Sequence, residues 1–177
     1  MGMLDRFRKD GAEPIAPERI KAFLKSVDMA NRRIAFALVL YGGITPNEAL
    51  ALKWVNIDIL AKRLDVWDEH RRRYRAVYGP GELFVMLKEY KKSHNGDDML
   101  FSFNRYALDT DAIRYTTKFF GKVSSWHCFR LSYLVMASKT LPLELVSENM
   151  GIPSDEIKKY WERSPEESRG LCDKMVV

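Results

Sequence analysis

The sequence predicts a mainly α-helical domain with one small antiparallel β-sheet, and three observations carry that prediction. Long stretches repeat apolar residues every three or four positions, as "APERIKAFLKSV" does with Ile20, Phe23, Leu24 and Val27. One zone after Trp54, comprising "VNIDIL", "RLDVWDE" and "RYRAVY", is short, partly alternating and rich in β-branched and aromatic residues. The length of 177 residues with 46% hydrophobic content suits one ordinary core rather than two.

Taken in order, residues 1–15 are expected to form a flexible N-terminal segment and residues 16–177 a single domain. Pro17 stands at a first helical position, opening the amphipathic helix just quoted. "NRRIAFALVLYGG" predicts a more fully buried helix, stopped by Gly42 and Gly43. Thr45 has the residue type and position of an N-cap, with Pro46 next and Glu48 three residues on, the pattern of a capping box. The three strand-like stretches follow, separated by polar turns. "PGELFVMLKEYKK" returns to helix, "SHNGDD" breaks it, and "DTDAIRYTTKFFGK" predicts another helix opened by its acidic residues. "SSWHCFRLSYLVMASK" is an apolar helix, and "PLELVSENMG", "PSDEIKKYWE" and "PEESRGLCDK" are short helices, each introduced by proline.

No apolar run approaches the roughly 20 residues that cross a bilayer, and the N-terminal stretch lacks the hydrophobic segment of a secretory signal. The expectation is an intracellular chain with no membrane association. Its two cysteines, Cys128 and Cys172, have no spacing that suggests zinc or a redox pair, so no metal or cofactor is expected. A net charge of +5 permits an acidic partner, and the charge is concentrated with interleaved aromatics in "HRRRYR" and "KEYKKSH".

The helix from Ser124 to Lys139 raises a chemical question. It carries His127 and Arg130 near its start, yet Phe129, Leu131, Leu134 and Val135 belong in a core. An unpaired charge is costly to bury. Either these two groups face a cleft suited to an anion, or each has a local partner, such as Glu48 for Arg130.

"LYGGITPNEALALKWVNIDI", "HCFRL" and "ENMGIPSDEIKKYWE" occur in that order across nearly the whole chain. They resemble, respectively, the first box, the His-x-x-Arg box and the closing segment of the catalytic domain of the tyrosine recombinase (phage integrase) family. The resemblance implies a partner, double-stranded DNA, and a role in DNA integration or recombination. It also implies a reaction in which a tyrosine hydroxyl attacks a phosphodiester to leave a 3′-phosphotyrosyl link, without metal or ATP. Arginines then stabilise the charge on the phosphoryl oxygens, and a lysine and histidines move protons.

Position by position, His127 and Arg130 match the His-x-x-Arg box and Tyr160 matches the nucleophile. The first-box arginine is replaced by Thr45, which cannot supply a guanidinium fork. His70 stands at the sheet lysine, with Arg71, Arg72 and Arg73 adjacent if the hairpin register differs. Leu131 stands where the family has a histidine after the box arginine, and Ile152 at its late His or Trp position. The resemblance thus assigns catalysis to Tyr160, Arg130, His127 and His70. It assigns DNA contact to Arg71, Arg72, Arg73, Tyr74, Arg75, Thr45 and Lys159.

Three readings follow. The chain binds DNA and has lost strand cleavage, or it cleaves with substitutes such as Arg32, Arg33, Arg71 or Lys159, or it is a helical interaction module whose basic face is incidental. The family's separate N-terminal domain is expected to be absent. Its exchanged C-terminal segment corresponds to "SPEESRGLCDKMVV", the candidate for homo-oligomer contacts.

Overall fold

The computed structural model describes residues 13–94 and 96–162, the last four of these by backbone alone. The C-terminal stretch expected to mediate self-association, with Cys172, lies outside the described residues, as do residues 1–12 of the N-terminal segment. Ile15, assigned to that flexible segment, is instead buried, and its backbone N–H donates to the Ser132 hydroxyl at 2.7 Å.

Eight α-helices and three strands occur among the described residues. Helix α1 (Pro17–Ser26), α2 (Ala30–Gly42) and α3 (Pro46–Ala51) precede β1 (Ile57–Asp58), β2 (Arg63–Asp68) and β3 (Arg73–Tyr78). They are followed by α4 (Gly81–Lys92), α5 (Arg105–Phe120), α6 (Trp126–Ser138), α7 (Leu143–Met150) and α8 (Ser154–Glu162). The expected fold class, mainly α with a small antiparallel sheet, is the one observed.

Helix α5 differs from expectation at its start. It begins at Arg105, capped by the Asn104 side chain, which accepts from the Ala107 N–H at 3.0 Å. The acidic residues read as its cap lie inside it and serve ion pairs instead: Asp109 takes Arg105 at 2.7 Å and Asp111 takes Arg32 at 2.6 Å.

The main core is aromatic at its centre. Phe23 of α1 touches the rings of Phe36, Phe119, Phe120 and Phe129, with centroids 5.3–5.8 Å apart. A second apolar cluster joins α6, α7 and α8 through Leu134, Val135, Val146, Met150 and Ile157. Helix α6 is buried on both sides for this reason, facing α2 through Phe129 and α7 through Leu134.

The sheet has the order β1-β2-β3, antiparallel throughout. Its two turns share one construction. The last strand residue is an aspartate whose carboxylate accepts an N–H three residues on, Asp58 from Ala61 at 2.8 Å and Asp68 from Arg71 at 3.0 Å. The next residue, Lys62 or Arg72, then takes a left-handed conformation, φ 52° and 50°. The register pairs Val66 with Arg75 and Asp68 with Arg73. Because strand side chains alternate, this places Arg73, Arg75 and Val77 on the inner face and Tyr74 on the outer one, where its ring meets Trp67 edge to face at 5.2 Å.

Candidate functional site

The inner face of the hairpin, the start of α3, the first turns of α6 and the end of α7 converge on one network of ion pairs and hydrogen bonds. Each part has a local cause. Helix α3 is closed by a complete capping box: the Thr45 hydroxyl accepts from the Glu48 N–H at 3.2 Å, and the Glu48 carboxylate accepts from the Thr45 N–H at 2.8 Å. Helix α6 is capped by Ser125, which accepts from the Cys128 N–H at 3.2 Å. That cap sets His127 in the first turn, half-buried, and Arg130 at the next. Helix α7 ends at Gly151 in a left-handed conformation, φ 66°.

The last turn of α7 draws arginines from three directions. Glu148 receives Arg71 at 3.3 Å and Arg73 at 3.1 Å, one on each carboxylate oxygen. The Asn149 carbonyl accepts from Arg75 at 3.3 Å, and the Met150 carbonyl accepts from Arg130 at 2.7 Å. Arg130 also donates to the Gly43 carbonyl at 3.1 Å, so it joins the C-terminal ends of α2 and α7. Unpaired carbonyls and the negative end of the dipole make helix C-termini favourable for cations. Burial pulls the Arg130 guanidinium down to about 10, with Glu48 opposing and Arg75 adding to the fall, so it remains protonated at neutral pH.

Arg75 is the deepest of these groups, its side chain 0% exposed. It grips Glu48 through both terminal nitrogens, at 2.7 and 2.9 Å, and lies 3.7 Å from Asp68. Its Nε and one Asp68 oxygen are buried without a hydrogen-bond partner. A Cβ at position 151 would stand 3.0 Å from the Arg75 guanidinium carbon, so the glycine both closes the helix and admits the arginine.

Asn149 locks the end of the hairpin to this turn. Its side chain accepts from the Tyr78 N–H at 3.0 Å and donates to the Tyr78 carbonyl at 2.8 Å and the Tyr133 hydroxyl at 2.7 Å. Burial raises the Tyr133 phenol to about 12, with the Asn149 bond opposing. Asn149→Ala is expected to lower the unfolding free energy by about 2–3 kcal/mol, because it removes three hydrogen bonds, two to the Tyr78 backbone and one to the buried Tyr133 hydroxyl. A urea titration measures it.

The sequence expectations meet this geometry unevenly. Thr45 is an N-cap whose hydroxyl is engaged with the helix. Arg75, expected to face DNA, is instead enclosed, because the register turns it inward. His70, Arg71, Arg72, Arg73 and Tyr74 are exposed on the hairpin and its turn. The Glu48 carboxylate, expected as a local partner for Arg130, is gripped on both oxygens by Arg75. Arg32 and Arg33 are engaged elsewhere, Arg32 with Asp111 and the Phe103 ring, Arg33 with the Val27 carbonyl at 2.6 Å. The side chains of Lys159 and Tyr160 lie outside the described residues, although their backbone continues α8. Asp68, Glu148 and Asn149 were not singled out from the sequence, and only the alternation of "RYRAVY" signalled that Arg75 shares a face with Val77. Among the described residues no group of three or more His, Cys, Asp or Glu side chains could hold a metal ion.

No protein-family model matches the sequence, and no curated protein matches it. Solved structures do match the fold. The crystal structure of XerA recombinase is similar with a TM-score of 0.69 at 14% identity, over 85% of this chain and 64% of that one. XerH site-specific recombinase bound to its difH substrate is similar at 0.68 and 21% identity, over 88% of this chain and 53% of that one. The Tn1549 transposon integrase in complex with circular intermediate DNA is similar at 0.70 and 12% identity, over 93% and 67%. The chain therefore spans about half to two thirds of the length of these structures. At such identities the likeness is one of architecture, and the chain has the fold of a tyrosine-recombinase catalytic domain.

Proposed function

We propose that this chain is a DNA-binding domain of the recombination and integration type that holds backbone phosphates without cutting the strand. The observation that carries the reading is the fate of the cations in this network. Arg75 is enclosed by Glu48 and Asp68, Arg130 is bonded to two helix-end carbonyls, and Thr45 leaves the first-box position without a guanidinium. A phosphoryl group brought to these residues would meet one fewer preorganised donor, a loss of about 10²–10³ in rate at comparable sites. The exposed hairpin arginines Arg71, Arg72 and Arg73 remain suited to phosphate contact, and Tyr74 beside them to a sugar or base. The XerH and Tn1549 structures are of DNA complexes, which supports the same partner here.

Two measurements on one preparation test the reading. Binding of labelled duplex across a salt series should weaken with a slope of about −3 if the three arginines each release a counterion. Incubation with nicked duplex, beside a Tyr160→Phe control, should yield no covalent adduct. An adduct lost in the control would overturn the loss of cleavage and make Tyr160 a working nucleophile. No binding even at low salt would favour an interaction module.

A further inference from the structure

We propose that Arg71 and Arg73 form a binding fork for one backbone phosphodiester, and that Glu148 is a built-in competitor which fills the fork when DNA is absent. The inference rests on the DNA-binding reading and deepens it. Glu148 is held between two guanidiniums through separate oxygens, Oε2 to Arg71 and Oε1 to Arg73. A phosphodiester offers the same recognition elements, a single negative charge shared by two outward oxygens.

Two features argue that the fork is made for an exchangeable anion rather than for a fixed strut. The first is exposure. The side chains of Arg71, Arg73 and Glu148 are 31%, 54% and 34% exposed, whereas Arg75 on the same hairpin face is sealed. Solvent-exposed ion pairs are weak and salt-screened, so the field of a polyanion can displace the carboxylate. The second is position. Glu148 lies in the last turn of α7, the end at which a negative charge opposes the helix dipole. It gains nothing from its own helix there, and the two arginines are what hold it. The hairpin preorganises them: the Asp68 carboxylate accepts from the Arg71 N–H at the turn, and the register sets Arg73 opposite Asp68.

Glu148→Gln keeps the shape of the side chain and removes the competing charge. It is expected to raise affinity for a short fluorescein-labelled duplex about 3- to 10-fold at low salt, the range set by two exposed ion pairs. Glu144→Gln makes the same change in net charge at the exposed opposite end of α7 and is expected to stay within about 2-fold of wild type. Adding Arg71→Ala and Arg73→Ala to Glu148→Gln should abolish the gain. Circular dichroism on each variant checks that the fold is kept. Equal gains from Glu144→Gln and Glu148→Gln would reduce the effect to overall charge and overturn the fork. Tight binding by wild type with no gain in Glu148→Gln would overturn the competitor while leaving the DNA reading intact. Absence of binding by every protein at low salt would overturn that reading and the fork with it.

Discussion

Arg75→Ala is expected to lower the unfolding free energy by about 3–5 kcal/mol, the cost of removing one partner of a buried ion pair and leaving the other uncompensated. The group left uncompensated is Glu48, whose two oxygens the guanidinium holds, whereas Asp68 keeps the Arg71 N–H. A urea titration gives the number. Arg75→Lys should recover little, since an ammonium cannot reach both Glu48 oxygens in a planar fork. Combining Arg75→Met with Glu48→Gln should recover part of the loss, because the charge leaves with its partner. A loss below about 1 kcal/mol for Arg75→Ala would be the signature of a solvated surface pair and would contradict the enclosed geometry. The same titration therefore tests whether this arginine is a strut of the fold or a ligand held ready for phosphate.

Phe23→Ala should be as damaging by a different mechanism. Its ring is fully buried and meets four other phenylalanine rings contributed by α2, α5 and α6. Truncation removes the transfer energy of the ring and opens a cavity that this many rigid neighbours cannot close, for a cost of about 3–5 kcal/mol. Phe23→Leu keeps most of the volume and should cost less than about 1.5 kcal/mol if its neighbours repack. Thermal unfolding followed by near-ultraviolet circular dichroism reads both the stability and the loss of aromatic packing. A Phe23→Ala protein as stable as the leucine variant would show that α1 is only loosely docked.

Much of the architecture was legible in the chain because its signals are local. Apolar repeats placed the helices, a change to short alternating runs placed the sheet, and Thr45, Pro46 and Glu48 announced a cap that the structure contains in full. The start of α5 was misplaced since Asn104 and Asp109 are both plausible caps by residue type. The choice went to Asn104 because the aspartates are taken by Arg105, Trp126 and, at Asp111, Arg32. The hairpin turns were legible only as polar breaks, because Lys62 and Arg72 adopt left-handed backbone without the glycine or asparagine that usually marks it.

The candidate site divides along the same physical line. The sequence by itself determined which chemical groups are present: a threonine at the start of α3, a His127–Arg130 pair one helical turn apart, and a run of arginines on a hairpin. Only the tertiary structure decided which of those charges meets which partner. Arg75 and Glu48 are 27 residues apart, and Arg71 and Arg73 stand 77 and 75 residues from Glu148. Those pairings depend on a strand register that turns Arg75 inward and on the docking of α7 against the hairpin. Local spacing carries no record of either, because an ion pair requires only that two side chains converge in space, whatever the length of chain between them.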